Sequence, residues 1–435
     1  MNDLLTRIEE RNAHVCVVGL GYVGLPLAVA FAEAGFRVTG FDVDSNKVEA
    51  INRGESYIPD IATDRLQAQT SSDRLDATTE AAILGRVDTV HICVPTPLGK
   101  TREPDISYVV SAGDEVAQHL HAGMLVVLES TTYPGTTEEI LAPRLAEGGL
   151  ELGSDYHLAF SPERIDPGNA EFTLENTPKV MGGMTAECTR VAAAMYGTIV
   201  GQVHEVSSPA AAELVKLLEN TFRSVNIGLA NEMALMCDRM GIDTWEVIQA
   251  AATKPFGFMP FFPGPGLGGH CIPVDPHYLT WKARTLNYQA RLIEVAAEIN
   301  AAMPEHVVAK VAAALNDHEK SVRGSRVLMI GVAYKRDVDD TRESPAIDVM
   351  RMLQDRGAVV EYADPFVPEL TVQHGVVADQ KAVTGLPQVC ANYDCVVVGT
   401  DHTDIDWPGV VTASELVVDT RNVASGLSGD NVVRI

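Results

Sequence analysis

The segment HVCVVGLGYVGLPLAVAFAEAG (residues 14–35) decides the fold. It begins with a short run rich in β-branched valines that stops at Gly19, continues apolar at helical spacing, and closes at Gly35, which reads as strand, turn and helix. Gly19, Gly21 and Gly24 occupy the turn as GxGxxG. The first glycine permits the tight turn, the second lets backbone approach a pyrophosphate, and the third lets helix and strand pack closely, with phosphates at the positive helix end. Alone such a turn is a weak signal. Here Asp42 lies 18 residues beyond Gly24, ending the next β-branched run, RVTGFDVD. A carboxylate there binds both ribose hydroxyls and repels a 2′-phosphate, so NAD is expected rather than NADP. The competing reading is a glycine turn with a chance acid. Lys47 either reaches the ribose or is a solvated surface lysine.

Further strand-like runs follow: VDTVHICVPTP, stopped by prolines, then MLVVLESTT and YHLAFSPE. Strands alternating with helices imply βαβ units and a mainly parallel sheet, with ligands at its carboxyl edge. Pro95, Thr96 and Thr131 fall at that edge. Thr131 either donates to a ligand or caps the next helix.

At Ser208 the pattern changes. Ser208 and Pro209 suit a helix start, and no breaker appears until Gly241, so one long helix is expected. It is apolar around much of its circumference, as an inter-domain or inter-subunit helix would be. A second helical region covers roughly 288–317, with a break expected at Pro304. Strand signatures return in SRVLMIGVAYK, VVEYADP, DCVVVGTD and LVVDTRNV, with Ser344 and Pro345 opening a helix that Gly357 ends. This second α/β region lacks its own GxGxxG and need not bind a dinucleotide. The expected class is α/β, with two Rossmann-like doubly wound domains joined by a long central helix and a helical dimerisation region. The expected boundaries are 1–207, 208–317 and 318–435.

At 435 residues, 46% hydrophobic and 21% charged, the chain has the balance of a multi-domain globular protein. A net charge of -26 argues against nucleic-acid or anionic-membrane surfaces. The seven cysteines include no CxxC pair, and an odd count fits no closed disulfide framework, so a reducing compartment is expected. The first residues carry charges where a signal peptide needs an apolar core, and no apolar run reaches membrane-spanning length. A cytoplasmic protein is expected.

GPGLGGHCIPVD (residues 264–275) sets Cys271 behind glycines and four residues before Asp275. Most such thiols are small apolar core groups. The sharper reading is a nucleophile, because a thiolate needs backbone donors, a cation or a base nearby, and glycines let amides approach. A metal set of His270, Cys271, Asp275 and His277 fits no common zinc spacing. On the long helix, Lys216 and Asn220 stand four apart and share a face. They are either a snorkelling lysine with a neighbour or the donors that a developing oxyanion requires.

The chain resembles the nucleotide-sugar dehydrogenases, the UDP-glucose and UDP-N-acetylhexosamine 6-dehydrogenase family, from about residue 12 to its C-terminus. GLGYVGLPLA, ESTTYPGTT, SPERIDPGN, VKLLENTF…NEMA, GPGLGGHCIPVD and AYKRDVDDTRESPA arrive in the family's order. The resemblance implies a four-electron, NAD-dependent oxidation of a sugar C6 alcohol to a carboxylate, feeding surface polysaccharide or glycan precursors. It makes Cys271 the nucleophile, Lys216 and Asn220 the oxyanion and water-positioning pair, Asp275 a supporting carboxylate, Glu163 a proton-handling group and Thr131 an active-site threonine. It implies cofactor contacts from Gly19, Gly21, Tyr22, Val23, Gly24, Asp42, Lys47, Pro95, Thr96, Thr131 and Arg342. Substrate contacts are implied for Glu163, Arg164, Lys216, Asn220, Lys254, Gly268, Lys335 and Arg421, with a homodimer or higher homo-oligomer. UDP-glucose enzymes often carry a second glutamate where this chain has Pro167, so a UDP-N-acetylhexosamine is expected, UDP-N-acetylglucosamine first, with UDP-N-acetylmannosamine and UDP-glucose as alternatives. Two rivals are a two-electron hydroxyacid dehydrogenase, which would need no cysteine, and a non-enzymatic nucleotide-sensing scaffold of the same fold.

Overall fold

The computed structural model describes residues 2–58, 61–99, 102–165, 171–269, 271–371, 380–427 and 429–435. The chain packs as two compact units, Met1–Glu219 with His277–Tyr288, and Asn220–Pro276 with Gln289–Ile435. Residues 208–317 are thereby shared between them.

The first unit is built on one sheet. Its strands are β1 (His14–Val18), β2 (Arg37–Phe41), β3 (Leu75–Thr78), β4 (Thr89–Ile92), β5 (Leu125–Leu128), β6 (His157–Phe160), β7 (Lys179–Gly183) and β8 (Val203–Glu205). Their order is β3-β2-β1-β4-β5-β6-β7-β8, and the first six give the Rossmann arrangement with its crossover between β1 and β4. Side chains alternate between two cores: Val15 and Val17 pack with Leu25 and Phe31, whereas Cys16 and Val18 pack with Val90 and Val116. Covering both faces is why these strands read as continuous apolar runs. β6 and β7 run antiparallel, pairing Ala159 with Gly183 and Phe160 with Gly182. Both glycines are sterically required, since a Cβ on Gly182 would lie 2.1 Å from the Ser208 carbonyl oxygen and one on Gly183 2.3 Å from the Thr189 nitrogen.

The second unit holds β9 (Arg326–Ile330), β10 (Val359–Ala363), β11 (Glu369–Leu370), β12 (Gln380–Lys381), β13 (Cys395–Val398), β14 (Val417–Asp419) and β15 (Val432–Arg434). Its main sheet is parallel in the order β10-β9-β13-β14-β15, the other common doubly wound order. Val327 and Met329 face one core, Leu328 and Ile330 the other.

The long helix, Pro209–Met240, spans 32 residues, about 48 Å at 1.5 Å per residue. The Ala211 N–H donates to Ser208 Oγ at its start (3.2 Å), and Gly241 takes φ +67 at its end. The expected break at Pro304 does not occur: Arg291–Asp317 is one helix with Pro304 inside it. Proline removes the N–H that would reach the Asn300 carbonyl. The cysteine loop packs at that point, where a Cβ built on Gly266 would lie 3.5 Å from Asn300 O and 3.6 Å from Pro304 Cδ. Burial of Met303, Pro304, Val307 and Val308 then holds the helix together.

Three buried asparagine contacts tie this loop to the helices. Asn231 Nδ2 donates to Asn300 Oδ1 (2.8 Å), Asn300 Nδ2 to the Ser224 carbonyl (3.1 Å), and the Gly264 N–H to Asn231 Oδ1 (3.0 Å). Asn231→Ala strands a buried N–H and a buried amide oxygen, at a cost of about 1–3 kcal/mol. Urea unfolding of this variant is expected to show a lowered midpoint with an unchanged slope.

Candidate active site

The glycine turn assigns a different task to each glycine. Gly19 has φ +88, and a Cβ there would lie 2.6 Å from the Cys93 carbonyl oxygen. On Gly24 it would lie 1.8 Å from Gly19 O, so helix Gly24–Glu33 meets the turn by backbone alone. Gly21 faces open space, with nothing within 4 Å of its Cβ position. Val23, at the helix start, provides no side-chain cap, which leaves the positive helix end available to an anion. Tyr22 beside it is 41% exposed. Asp42 is buried and oriented by three donors: Leu20 N–H (2.8 Å) and Lys47 Nζ (3.1 Å) on Oδ2, and Asp44 N–H (2.9 Å) on Oδ1. Lys47 is thus an ion-pair partner of Asp42, which neither sequence reading anticipated. An open glycine, an uncapped helix start and a fixed carboxylate at the end of β2 are the features an NAD dinucleotide requires.

Pro95 is exposed after β4, and the carbonyl of half-buried Thr96 accepts the Tyr278 hydroxyl (2.9 Å). Thr131 follows β5 and is half-buried. The next helical turn starts only at Thr137, where buried Glu213 accepts the Gly135 and Thr137 N–H groups (2.5 and 2.9 Å), so Thr131 does not cap it.

Glu163 belongs to a buried ionic cluster that the sequence did not disclose. The antiparallel direction of β7 beside β6 brings Lys179 to Glu163. Lys179 is 2% exposed and donates through Nζ to Glu163 Oε2 (3.1 Å) and Glu129 Oε2 (2.7 Å). Glu163 Oε1 accepts the N–H groups of Arg164 (2.6 Å) and Ile165 (2.7 Å). The Tyr196 hydroxyl donates to Glu129 Oε1, His91 Nδ1 lies 2.8 Å from that hydroxyl, and His91 Nε2 lies 3.2 Å from Thr89 Oγ1.

Burial alone would raise Glu163, but Lys179 and the two backbone donors outweigh it and hold the carboxyl below its ordinary range. Burial dominates at Glu129 and raises it. Lys179 is raised, because its two carboxylates overcome the burial that would lower it. Burial, helped by the Lys179 charge, depresses His91 to about 3. Arg164 donates through its guanidinium to Glu219 (2.6 Å) and the Pro178 carbonyl (2.7 Å).

In the second unit, the glycines of the cysteine loop admit neighbours that side chains would exclude. A Cβ on Gly264 would lie 2.8 Å from Arg421 Nη1, and on Gly268 2.6 Å from Tyr334 Cβ. Gly269 has φ +84 and donates its N–H to the Arg342 carbonyl (3.1 Å). The loop therefore lies against the segments following β9 and β14. Cys271 is half-buried, whereas the other six cysteines are buried. Burial raises the thiols of Cys16, Cys93 and Cys390, and that of Cys395 to about 12. Asp275 donates its N–H to the Cys271 carbonyl (2.8 Å), and its Oδ2 accepts Asn220 Nδ2 (2.5 Å). Cys271, Asp275 and Asn220 are thus brought together.

Lys216 is half-buried and forms no ion pair among the described residues. Lys335 is half-buried after Tyr334. Arg342 is exposed and pairs with Asp340 (2.6 Å). Arg421 donates through Nε to the Gly399 carbonyl (2.9 Å), and burial lowers its pKa. Lys254 is exposed over the Phe256 ring. His270 and Pro167 lie outside the described residues, among which no group of three or more His, Cys, Asp or Glu side chains is placed to hold a metal ion.

Sequence models for three domains of the UDP-glucose/GDP-mannose dehydrogenase family match in series: the NAD binding domain over residues 13–200, the central domain over 210–302 and the UDP binding domain over 328–426. The chain is 35% identical over 410 residues to a UDP-N-acetyl-D-glucosamine 6-dehydrogenase of Pseudomonas aeruginosa, covering 93% of this chain and 94% of that one. It is 37% identical over 405 residues to a UDP-N-acetyl-D-mannosamine dehydrogenase of Yersinia pestis, covering 89% and 93%. The solved structure of a UDP-D-ManNAc dehydrogenase from Pyrococcus horikoshii matches with a TM-score of 0.87 at 32% identity, over 97% and 98% of the two chains.

His91 carries a pH signature. It stays neutral in the native chain down to about pH 3, whereas its ordinary value is 6.5, so between these values the unfolded chain binds the extra proton. Its contribution therefore lowers stability as pH falls through this window, by up to about 1.4 kcal/mol per pH unit. His91→Gln removes that slope, and its urea midpoint is expected to fall less steeply than that of wild type between pH 6.5 and about 4.

Proposed function

The chain belongs to the UDP-glucose/GDP-mannose dehydrogenase family and carries its NAD-binding domain, and from that premise we propose that it oxidises the C6 hydroxyl of a UDP-N-acetylhexosamine, UDP-N-acetylglucosamine first, to the uronic acid. The observation carrying this reading is that Cys271 alone among seven cysteines is not buried, on a glycine loop beside Asp275 and Asn220. A four-electron oxidation at one carbon needs a nucleophile to retain the aldehyde, whereas a two-electron hydroxyacid dehydrogenase does not.

The chemistry that bound NAD supplies is hydride acceptance, once for each oxidation. Gly19, Gly21 and Gly24 let backbone reach its pyrophosphate, Tyr22 and Val23 line the turn, and Asp42, steadied by Lys47, accepts the ribose hydroxyls. Lys216 and Asn220 hold water or the developing C6 oxyanion, and Glu163 takes the proton released there. The Cys271 thiolate adds to the aldehyde carbon, forming a carbon–sulfur bond, and keeps it as a thiohemiacetal. After the second oxidation a thioester remains. Water, deprotonated by Glu163 or Asp275, attacks its carbonyl carbon, the carbon–sulfur bond breaks, and the acid leaves with Cys271 restored as thiolate. Thr131, Pro95, Thr96 and Arg342 are assigned to the cofactor, and Arg164, Lys254, Gly268, Lys335 and Arg421 to the UDP-sugar.

The domain partition we propose is 1–207 for NAD, 208–317 for the central region and 318–435 for the UDP-sugar. We also infer a homodimer or higher homo-oligomer, supported by Phe222, Leu229, Met236, Met240, Phe256 and Met259, all large apolar side chains exposed in the second unit. Choosing the N-acetylglucosamine isomer rests on SPERIDPGN and on the Pseudomonas aeruginosa relative. The mannosamine isomer is the second reading, because relatives of that name are equally similar.

Incubation with NAD and a panel of UDP-glucose, UDP-N-acetylglucosamine, UDP-N-acetylgalactosamine and UDP-N-acetylmannosamine is expected to yield two NADH per sugar consumed. Cys271→Ser is expected to cut acid formation by on the order of a thousandfold or more while sugar and NAD binding persist; acid formation at the wild-type rate excludes the thioester route. Asp42→Ala is expected to weaken NAD about 10- to 100-fold and UDP-sugar much less, both read by calorimetry.

A further inference from the structure

Lys179, Glu129, Glu163 and Tyr196 form one cluster, and the reaction sequence above uses only Glu163. Both ionised glutamates against a single lysine would leave an uncompensated charge in the interior, which is far costlier than retaining one proton. The hydrogen-bond geometry says where that proton belongs. Around Glu163 every neighbour is a donor: two backbone N–H groups on Oε1 and the Lys179 ammonium on Oε2. A resting proton on Glu163 would take the remaining lone pair of Oε2 and weaken all three charge-assisted bonds. Around Glu129, one oxygen meets Lys179 and the other meets the Tyr196 hydroxyl, a group that accepts as readily as it donates. If Tyr196 turns its hydrogen toward His91 Nδ1, and the imidazole carries its hydrogen on Nε2 toward Thr89, every member stays satisfied with a proton on Glu129.

We propose that Lys179 is a positioning residue that holds Glu163 ionised and oriented, and that Glu129, backed by Tyr196 and His91, carries the proton this buried group must keep. Lys179 acts through Glu163 and touches neither substrate nor cofactor in this proposal. The antiparallel direction of β7 beside β6 brings it to its place, because a parallel β7 would start at the opposite edge of the sheet. The inference rests on the assignment of Glu163 to proton handling. Other groups facing the cluster leave the sorting intact: Cys93 is a thiol raised well above its ordinary value mainly by burial, His91 is neutral, and Arg164 is held by Glu219 and the Pro178 carbonyl.

Two measurements test this. In the pH profile of kcat/KM, Lys179→Met is expected to move the acid limb upward by about one to three pH units, with KM for NAD little changed, and Lys179→Arg to restore it close to wild type. A Lys179→Met limb at the wild-type pH, with only a general loss of stability, overturns the positioning role. The second measurement does not depend on turnover, nor on Lys179→Met folding. Infrared spectra of the whole protein at neutral pH are expected to contain a protonated-carboxyl stretch that is lost in Glu129→Gln and changes frequency in Tyr196→Phe, because the Tyr196 hydroxyl meets Glu129 and not Glu163. A band that persists in Glu129→Gln, or one whose frequency is the same in Tyr196→Phe as in wild type, overturns the sorting. If no UDP-sugar in the panel is oxidised, the function proposed above fails on that result, while the infrared bands still decide the state of the two glutamates.

Discussion

In each α/β unit, a carboxylate at the end of the second strand pins the loop that follows the first. Asp42 takes the Leu20 N–H at 2.8 Å, and Asp364 takes the Val332 N–H at 2.7 Å. The glycine one residue before each donor pairs with the last residue of the second strand, Gly19 with Phe41 O (2.8 Å) and Gly331 with Ala363 O (2.9 Å). Loops at a carboxyl sheet edge otherwise lack ladder partners, so these few bonds fix where backbone is presented to a ligand. The two carboxylates then diverge. Asp364 receives N–H groups from Val332, Ala333, Phe366 and Val367 and also meets His402 Nε2, which saturates it. Asp42 holds three donors and retains capacity for a ligand hydroxyl, which accords with the NAD binding domain lying in the first half of the chain.

Burial acts as the second selector. Seven cysteines of equal intrinsic chemistry are separated by environment: six are buried, with desolvation raising the thiols of Cys16, Cys93, Cys390 and Cys395, and Cys271 lies on a loop that glycines allow to pass close to Tyr334 and Pro345. Steric exclusion and electrostatics thus cooperate.

Much of this was legible in the chain itself. Valine-rich runs ending in glycine, acid or proline marked β1, β2, β4, β5, β6, β9, β10, β13 and β14, because strands buried on both faces leave an unambiguous apolar signature. Ser208, Pro209 and Gly241 bounded the long helix. Legibility failed where tertiary contacts decided. Pro304 sits inside a continuous helix because burial of Met303, Pro304, Val307 and Val308 holds it across the lost hydrogen bond. β3 went unmarked because LDAT is half polar, β7 because it ends in two glycines and β8 because it spans three residues. Lys47 was read as ribose-binding or solvated, but its ion pair with Asp42 depends on the turn between them.

The missed strand β7 is also where the hidden chemistry resides. KVMGG looks like a loop fragment, since glycine weakens a strand interior, yet its two glycines are what let it pass Ser208 and Thr189 at backbone distance. Once it does so antiparallel to β6, Gly182 pairs with Phe160, and the chain on either side of that pair brings Lys179 Nζ to 3.1 Å from Glu163 Oε2. The position of a buried cation is therefore set by a steric condition on two glycines at the far end of the same strand. No local pattern in the sequence could disclose this, because the ionic partners come from separate segments around residues 129, 163 and 179 that only the sheet order assembles.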